Sequence, residues 1–174
     1  MKLFACLVLL CVMLGGLLAG CTAPTAPALE GDPSTEVAAK VPAARGEAGV
    51  EEEFEGCSPG FWKNHPEDWA ATGLSPDQTV GSLYRGANRF PDLAASTLLE
   101  ALQFGGGPGD EGAAKTLLRQ AVAAALNALH PDITSSWPYP MLVTEVNRTL
   151  QQNRDAMLGL ADHLDEKNNF GCPL

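Results

Sequence analysis

Residues Glu111–His130 read EGAAKTLLRQAVAAALNALH, and this stretch decides the fold. Leu118, Val122, Ala125 and Leu129 recur at helical spacing and form one apolar stripe, while Lys115, Arg119 and Asn127 lie away from it. Asp110 is a residue type suited to cap the start, and Pro131 stops the helix. Two segments flanking this one also read as helices. Pro91–Phe104 opens with a proline tolerated in a first turn and carries Ala94, Leu98 and Leu102 at fourfold spacing. The segment from Tyr139 or Met141 to Lys167 has a seam of Leu142, Val146, Leu150, Met157, Leu160 and Leu164, closed by Asn168, Asn169 and Gly171. Asn153 falls on that seam, where it pairs internally, fixes helix register or contacts a ligand. Ser75-Pro76-Asp77-Gln78 has the capping-box pattern of a short helix. No run alternates with the period of a strand. The expected fold is all-α: three main helices plus one or two short ones.

Five cysteines occur, and their positions separate into three groups. Cys6 and Cys11 lie in an N-terminal apolar run. Cys21 ends that run. Cys57 and Cys172 stand near the two ends of the helical region. Outside the cytoplasm such a pair reads as a disulfide stapling the domain end to end, and no CxxC spacing favours metal or redox thiols.

The N-terminal run has the layout of a secretory signal: Lys2, then apolar Leu3–Leu14, then small residues at Gly15, Gly16, Ala19 and Gly20. Leu18-Ala19-Gly20-Cys21 resembles the lipobox of bacterial lipoproteins. That resemblance implies cleavage after Gly20 and lipidation of Cys21, so that residues 1–20 are a signal peptide and the mature protein partners a membrane through its lipid. A diacylglyceryl cysteine supplies the two chains that stable anchoring needs. From Cys21 to Glu55 the chain is rich in Ala, Pro, Thr, Gly and Glu, with Pro24, Pro27, Pro33 and Pro42 and the acidic run Glu51-Glu52-Glu53. This composition reads as an acidic spacer without a core of its own, ahead of a helical domain over residues 56–174. The net charge of −10 argues against nucleic acid, whose phosphates need clustered Lys and Arg, and against recruitment to anionic lipid by basic residues.

The segment richest in chemistry is Cys57-Ser58-Pro59-Gly60-Phe61-Trp62-Lys63-Asn64-His65-Pro66-Glu67-Asp68-Trp69. Phe61, Trp62, Lys63, His65 and Trp69 form a candidate binding surface, with an indole stacking on a sugar or gripping a peptide. The alternative is that both indoles pack into the core beside the disulfide, since aromatics dominate small cores. His65 with Glu67 or Asp68 is the best candidate for hydrolytic or metal-dependent chemistry. His65, His130 and His163 share no i, i+4 face, there is no HExxH, and no metal or cofactor is expected. Gly105-Gly106-Gly107-Pro108-Gly109 lacks the GKS or GKT of a phosphate loop and reads as a turn between helices. No serine sits in a nucleophile elbow, and no carboxylate pair is spaced for glycoside hydrolysis.

The run from Cys57 to Pro66, with Trp69, resembles a signature of secreted and surface bacterial proteins: a cysteine, then Gly-Tyr-Trp-Lys, then an Asn/Thr-His-Pro-like continuation. Phe61 stands where tyrosine is usual. Gly109-Asp110 leading into Leu117, Leu118, Ala121, Ala124, Ala125, Leu126 and Asn127 resembles that family's helical region, and Asn168–Leu174 resembles its cysteine-containing terminus. The resemblance implies a small helical extracytoplasmic domain and no catalytic residues. The expected function is therefore a lipid-anchored, non-catalytic binding or scaffolding domain of the cell envelope. Its ligand would be an envelope protein or a glycan. A hydrolase centred on His65, Glu67 and Asp68, or a purely structural surface spacer, are the alternatives.

Overall fold

A computed structural model describes residues 53–174. The expected signal peptide, Cys21 and all but the last residues of the spacer lie outside the described residues. The described chain is helical. In order it forms α1 (Pro59–Asn64), a 3₁₀ turn (Pro66–Thr72), α2 (Val80–Leu83), a second 3₁₀ turn (Arg85–Arg89), α3 (Pro91–Ala95), α4 (Leu98–Ala101), α5 (Gly109–Leu129), α6 (Tyr139–Thr149) and α7 (Arg154–Asn168). Among the described residues strand-like pairing is confined to two isolated antiparallel bridges, Gly56 with Gly171 and Thr79 with Thr97.

α5 is the axis of the domain. From Leu117 to Asn127 every residue except Arg119 is buried, because α1, the first 3₁₀ turn, α4, α6 and α7 all pack around it. Its alanines at 113, 114, 121, 123, 124 and 125 are buried, small side chains that suit close packing of neighbours, while Lys115, Thr116 and Arg119 stay partly open to solvent. The helix starts at Gly109, so Asp110 lies inside the first turn and is not the cap. There it accepts from the Arg89 guanidinium, which also donates to the carbonyls of Leu150 and Gln152. One arginine thus ties the start of α5 to the end of α6 and satisfies carbonyls that the helix end leaves unpaired.

Two expected long helices are each broken in two. The run Pro91–Phe104 bends at Ser96 and Thr97, both extended. Thr97 and Glu100 cap α4 reciprocally, and the extended backbone pairs with the preceding loop: Val80 N–H donates to Ser96 O (2.9 Å) and Leu98 N–H to Gln78 O (2.8 Å). The same pairing explains why Ser75–Gln78 makes a turn, closed by Gln78 N–H to Ser75 O (3.0 Å), and no helix. The run Tyr139–Lys167 breaks between Leu150 and Asn153. Asn153 is not a buried seam residue. It is exposed and caps α7, its Oδ1 accepting from Ala156 N–H at 3.0 Å.

Cys57 and Cys172 form a disulfide across a sequence separation of 115 residues, with Cα atoms 4.5 Å apart. The Gly56–Gly171 bridge runs beside it, with Gly56 N–H donating to Gly171 O at 3.0 Å. A Cβ on Gly56 would stand 2.3 Å from Lys167 O, so glycine is what lets the two ends of the domain lie against each other.

Candidate functional site

The segment Cys57–Trp69 is built inward. Ser58 caps α1 by accepting from Phe61 N–H, and Pro59 occupies the first turn. One turn of helix then carries Trp62 into the core, and the 3₁₀ turn after His65 returns Trp69 to the same side. Trp62 is 0% exposed and Trp69 1%. Their polar ends are satisfied internally: Trp69 Nε1 donates to Trp62 O (3.0 Å) and Trp62 Nε1 to Asn127 Oδ1 (2.9 Å). Neither indole can offer its face to a ligand, which corrects the candidate surface drawn from the sequence. Of its five residues, Lys63 alone is exposed, and Phe61 and His65 are half-buried. The Phe61 ring meets Trp62 edge-on at 5.4 Å and stacks on the His65 ring at 4.4 Å.

Asn127 joins this segment to the rest of the molecule. Its Oδ1 accepts from Trp62 Nε1 and from Cys57 N–H (both 2.9 Å), and its Nδ2 donates to Cys57 O (3.0 Å) and Asn168 Oδ1 (2.9 Å). Asn168 Nδ2 in turn donates to the backbone and side-chain oxygens of Gln120, whose own amide reaches Asp165 at 2.8 Å. The chain of amides ties the disulfide, α1, α5 and α7 together. Every polar atom of the Asn127 side chain is used, and no buried side-chain nitrogen or oxygen among the described residues lacks a partner. Sequence reasoning placed Asn127 away from the apolar stripe. The available signal was Gln120 and Asn127 seven residues apart, two turns along one face of an alanine-rich helix.

His65 Nδ1 lies 3.3 Å from Glu67 Oε1, with His65 half-buried and Glu67 largely in solvent. Asp68 is half-buried one residue further on. His130 is buried at the end of α5, where its Nδ1 accepts from Asp132 N–H (3.3 Å) and its ring lies 5.9 Å from Trp62. His163 meets the edge of Trp137 at 5.7 Å. The three imidazoles therefore serve three separate aromatic contacts. Among the described residues, no three His, Cys, Asp or Glu side chains converge as a metal site would require.

A more open surface lies on α6. Trp137, Pro140, Met141, Thr144 and Glu145 line a largely apolar groove of about 460 Å³, within the size range of ligand-binding clefts. Met141 is 62% exposed, the most exposed large hydrophobic residue among those described. It is exposed because α6 turns Leu142 and Val146 toward α5 and leaves 141 and 144 on the outer side. At the rim the Arg148 guanidinium donates to both oxygens of Glu145. Those hydrogen bonds hold the Glu145 carboxyl below the usual range, against a smaller opposing effect of burial. Thr144 Oγ1 donates to Pro140 O (2.9 Å), leaving its lone pairs free to accept. An apolar floor beside a fixed ion pair can hold an apolar side chain and orient it, and it presents no nucleophile with an adjacent base. Sequence reasoning did not single out this groove. Trp137-Pro138-Tyr139-Pro140-Met141 was its only local sign.

No helix among the described residues is long and apolar enough to cross a membrane. No family model, curated protein or solved structure matches the chain.

Proposed function

We propose that this protein is a lipid-anchored, extracytoplasmic, non-catalytic binding domain, which holds another component of the cell envelope in the groove of Trp137, Pro140, Met141 and Thr144. One observation carries the choice of face. The aromatic pair of the Cys57–Trp69 signature is enclosed with its hydrogen bonds satisfied, whereas the large side chain left most open, Met141, sits in an apolar groove. Buried indoles supply stability, and exposed apolar clefts supply binding. The lipobox-like Leu18–Cys21 supports the anchor, and the end-to-end disulfide is compatible with an oxidising compartment. The groove is also what favours a binding role over a bare spacer.

The test is photo-crosslinking in the expressing bacterium, with a photoreactive residue placed at Met141 in one strain and at Lys63 in another. The expected result is a discrete adduct from position 141 that Thr144→Arg abolishes. Adducts from position 63 alone would return the binding face to the signature segment.

A further inference from the structure

Four large hydrophobic residues stand exposed among the described residues, and three of them gather at one end. Phe54 (38% exposed) and Phe170 (43%), with Pro173, line a shallow cleft beside the disulfide, and Leu174 (41%) follows Pro173. The ammonium of Lys167 sits 4.4 Å from the centre of the Phe170 ring. The Gly56–Gly171 bridge holds the two ends of the helical domain together here. This is also the end at which the chain from Cys21 joins the domain. Residues 22–53 separate Cys21 from Phe54, and at about 3.5 Å per residue they allow a separation of at most ~110 Å. This end, where Phe54 and Phe170 stand among Glu53 and Glu55, is thus the part of the domain covalently leashed to Cys21.

We propose that Phe54, Phe170 and Leu174 form a membrane-resting foot, which settles into the headgroup–acyl boundary of the bilayer that anchors Cys21. This rests on the lipoprotein reading. Aromatic and aliphatic side chains without a basic cluster suit an uncharged lipid interface. Glu53 and Glu55 line the same cleft, and Lys167, the cation beside it, is paired with Glu166 at 3.1 Å. The foot therefore prefers zwitterionic to anionic lipid, and added salt weakens that preference. Since α5 climbs about 30 Å from Leu129 to Gly109, the loop Gly105–Pro108 stands clear of the membrane when the foot is down.

The experiment uses the full lipidated protein in phosphatidylcholine vesicles carrying bromine on the upper acyl chain, a short-range quencher of indole fluorescence. Trp137→Phe removes the half-buried indole. A single new tryptophan is then placed at Phe170 or at Gly105, where a side chain meets open space. Mass spectrometry of the same samples reports the lipid on Cys21. The expected result is at least twofold stronger quenching of the tryptophan at 170 than at 105, reduced by Phe54→Gln with Leu174→Gln and weaker in phosphatidylglycerol vesicles at low salt. Equal or absent quenching in a chain whose Cys21 carries lipid would overturn the foot and leave the anchor standing. An unlipidated Cys21 would overturn the anchor and the foot with it. A blue shift at 170 that depends on protein concentration and not on vesicles would overturn the foot in favour of a second copy covering this end.

Discussion

Replacing Asn127 with leucine keeps the size of the side chain and removes all its hydrogen bonds. The Cys57 and Trp62 N–H groups, the Cys57 carbonyl and Asn168 Oδ1 all lose their partner. A stranded buried polar group costs about 1–3 kcal/mol. With partial relaxation the four together should cost about 3–6 kcal/mol. A domain of about 120 residues has some 6–18 kcal/mol in total, so Asn127→Leu consumes a large share while leaving the disulfide intact. With a urea slope of about 2 kcal/mol/M, a loss near 4 kcal/mol lowers the unfolding midpoint by about 2 M, read from tryptophan emission. Asn127→Asp adds a pH signature. Its carboxylate would accept from Cys57 and Trp62 but face the oxygens of Cys57 and Asn168, so burial and repulsion raise its folded pKa above the unfolded value. Relative to wild type, the variant should lose stability as pH rises above about 4, the unfolded range. An Asn127→Leu midpoint within about 0.5 M of wild type would refute the view that this amide network holds the domain's two ends and α5 together.

The Cys57→Ser/Cys172→Ser double variant should lose about 4–5 kcal/mol by loop-entropy reasoning over a separation of 115 residues, measured by thermal unfolding; a loss under 1 kcal/mol would show that the ends of the domain are held without the bond. Two glycines should respond in opposite senses. Gly86→Ala places a Cβ 2.7 Å from the backbone oxygen of Asn147, whose side chain accepts from Gly86 N–H, and should destabilise by about 1–3 kcal/mol. Gly159→Ala meets nothing within 4 Å on the exposed side of α7 and should stabilise by about 0.5–1 kcal/mol. In an alkaline titration followed at 295 nm, Tyr139 should ionise before Tyr84. Burial pushes both phenols up, but Tyr84 is enclosed, donates to Ala121 O at 2.8 Å and is raised well beyond its usual value. Because the folded state keeps that proton, stability is full below pH ~10 and falls as pH rises above it. Ionisation of both tyrosines while the domain remains folded would contradict this.

The parts of the fold legible in the sequence are those that local pattern controls. α5 could be read from Leu118, Val122, Ala125 and Leu129 and from Pro131, and the disulfide from which cysteines remained. The breaks were hidden because the apolar spacing continues across them: Ala94, Leu98 and Leu102 keep their interval although Thr97 starts a new helix there. Asn153 looked like a seam residue because Leu150 and Met157 flank it, yet its side chain is short enough to cap the helix that follows. The placement of Trp62 and Trp69 depended on a partner on α5. The hydrogen bond that takes Trp62 inside spans 65 residues, so no local pattern shows it. The α6 groove was obscure for a related reason, since Met141 reads as one more apolar residue until Leu142 and Val146 have taken the inward face.

The most direct measurement is the accessibility of Trp62 and Trp69, by acrylamide quenching of fluorescence in the unlipidated domain carrying Trp137→Phe. With exposures of 0% and 1%, the expected result is weak quenching in the folded domain that becomes strong in urea. Strong quenching of the folded domain would put the indoles on the surface, make the Cys57–Trp69 segment the binding face, and remove the case for the groove on α6.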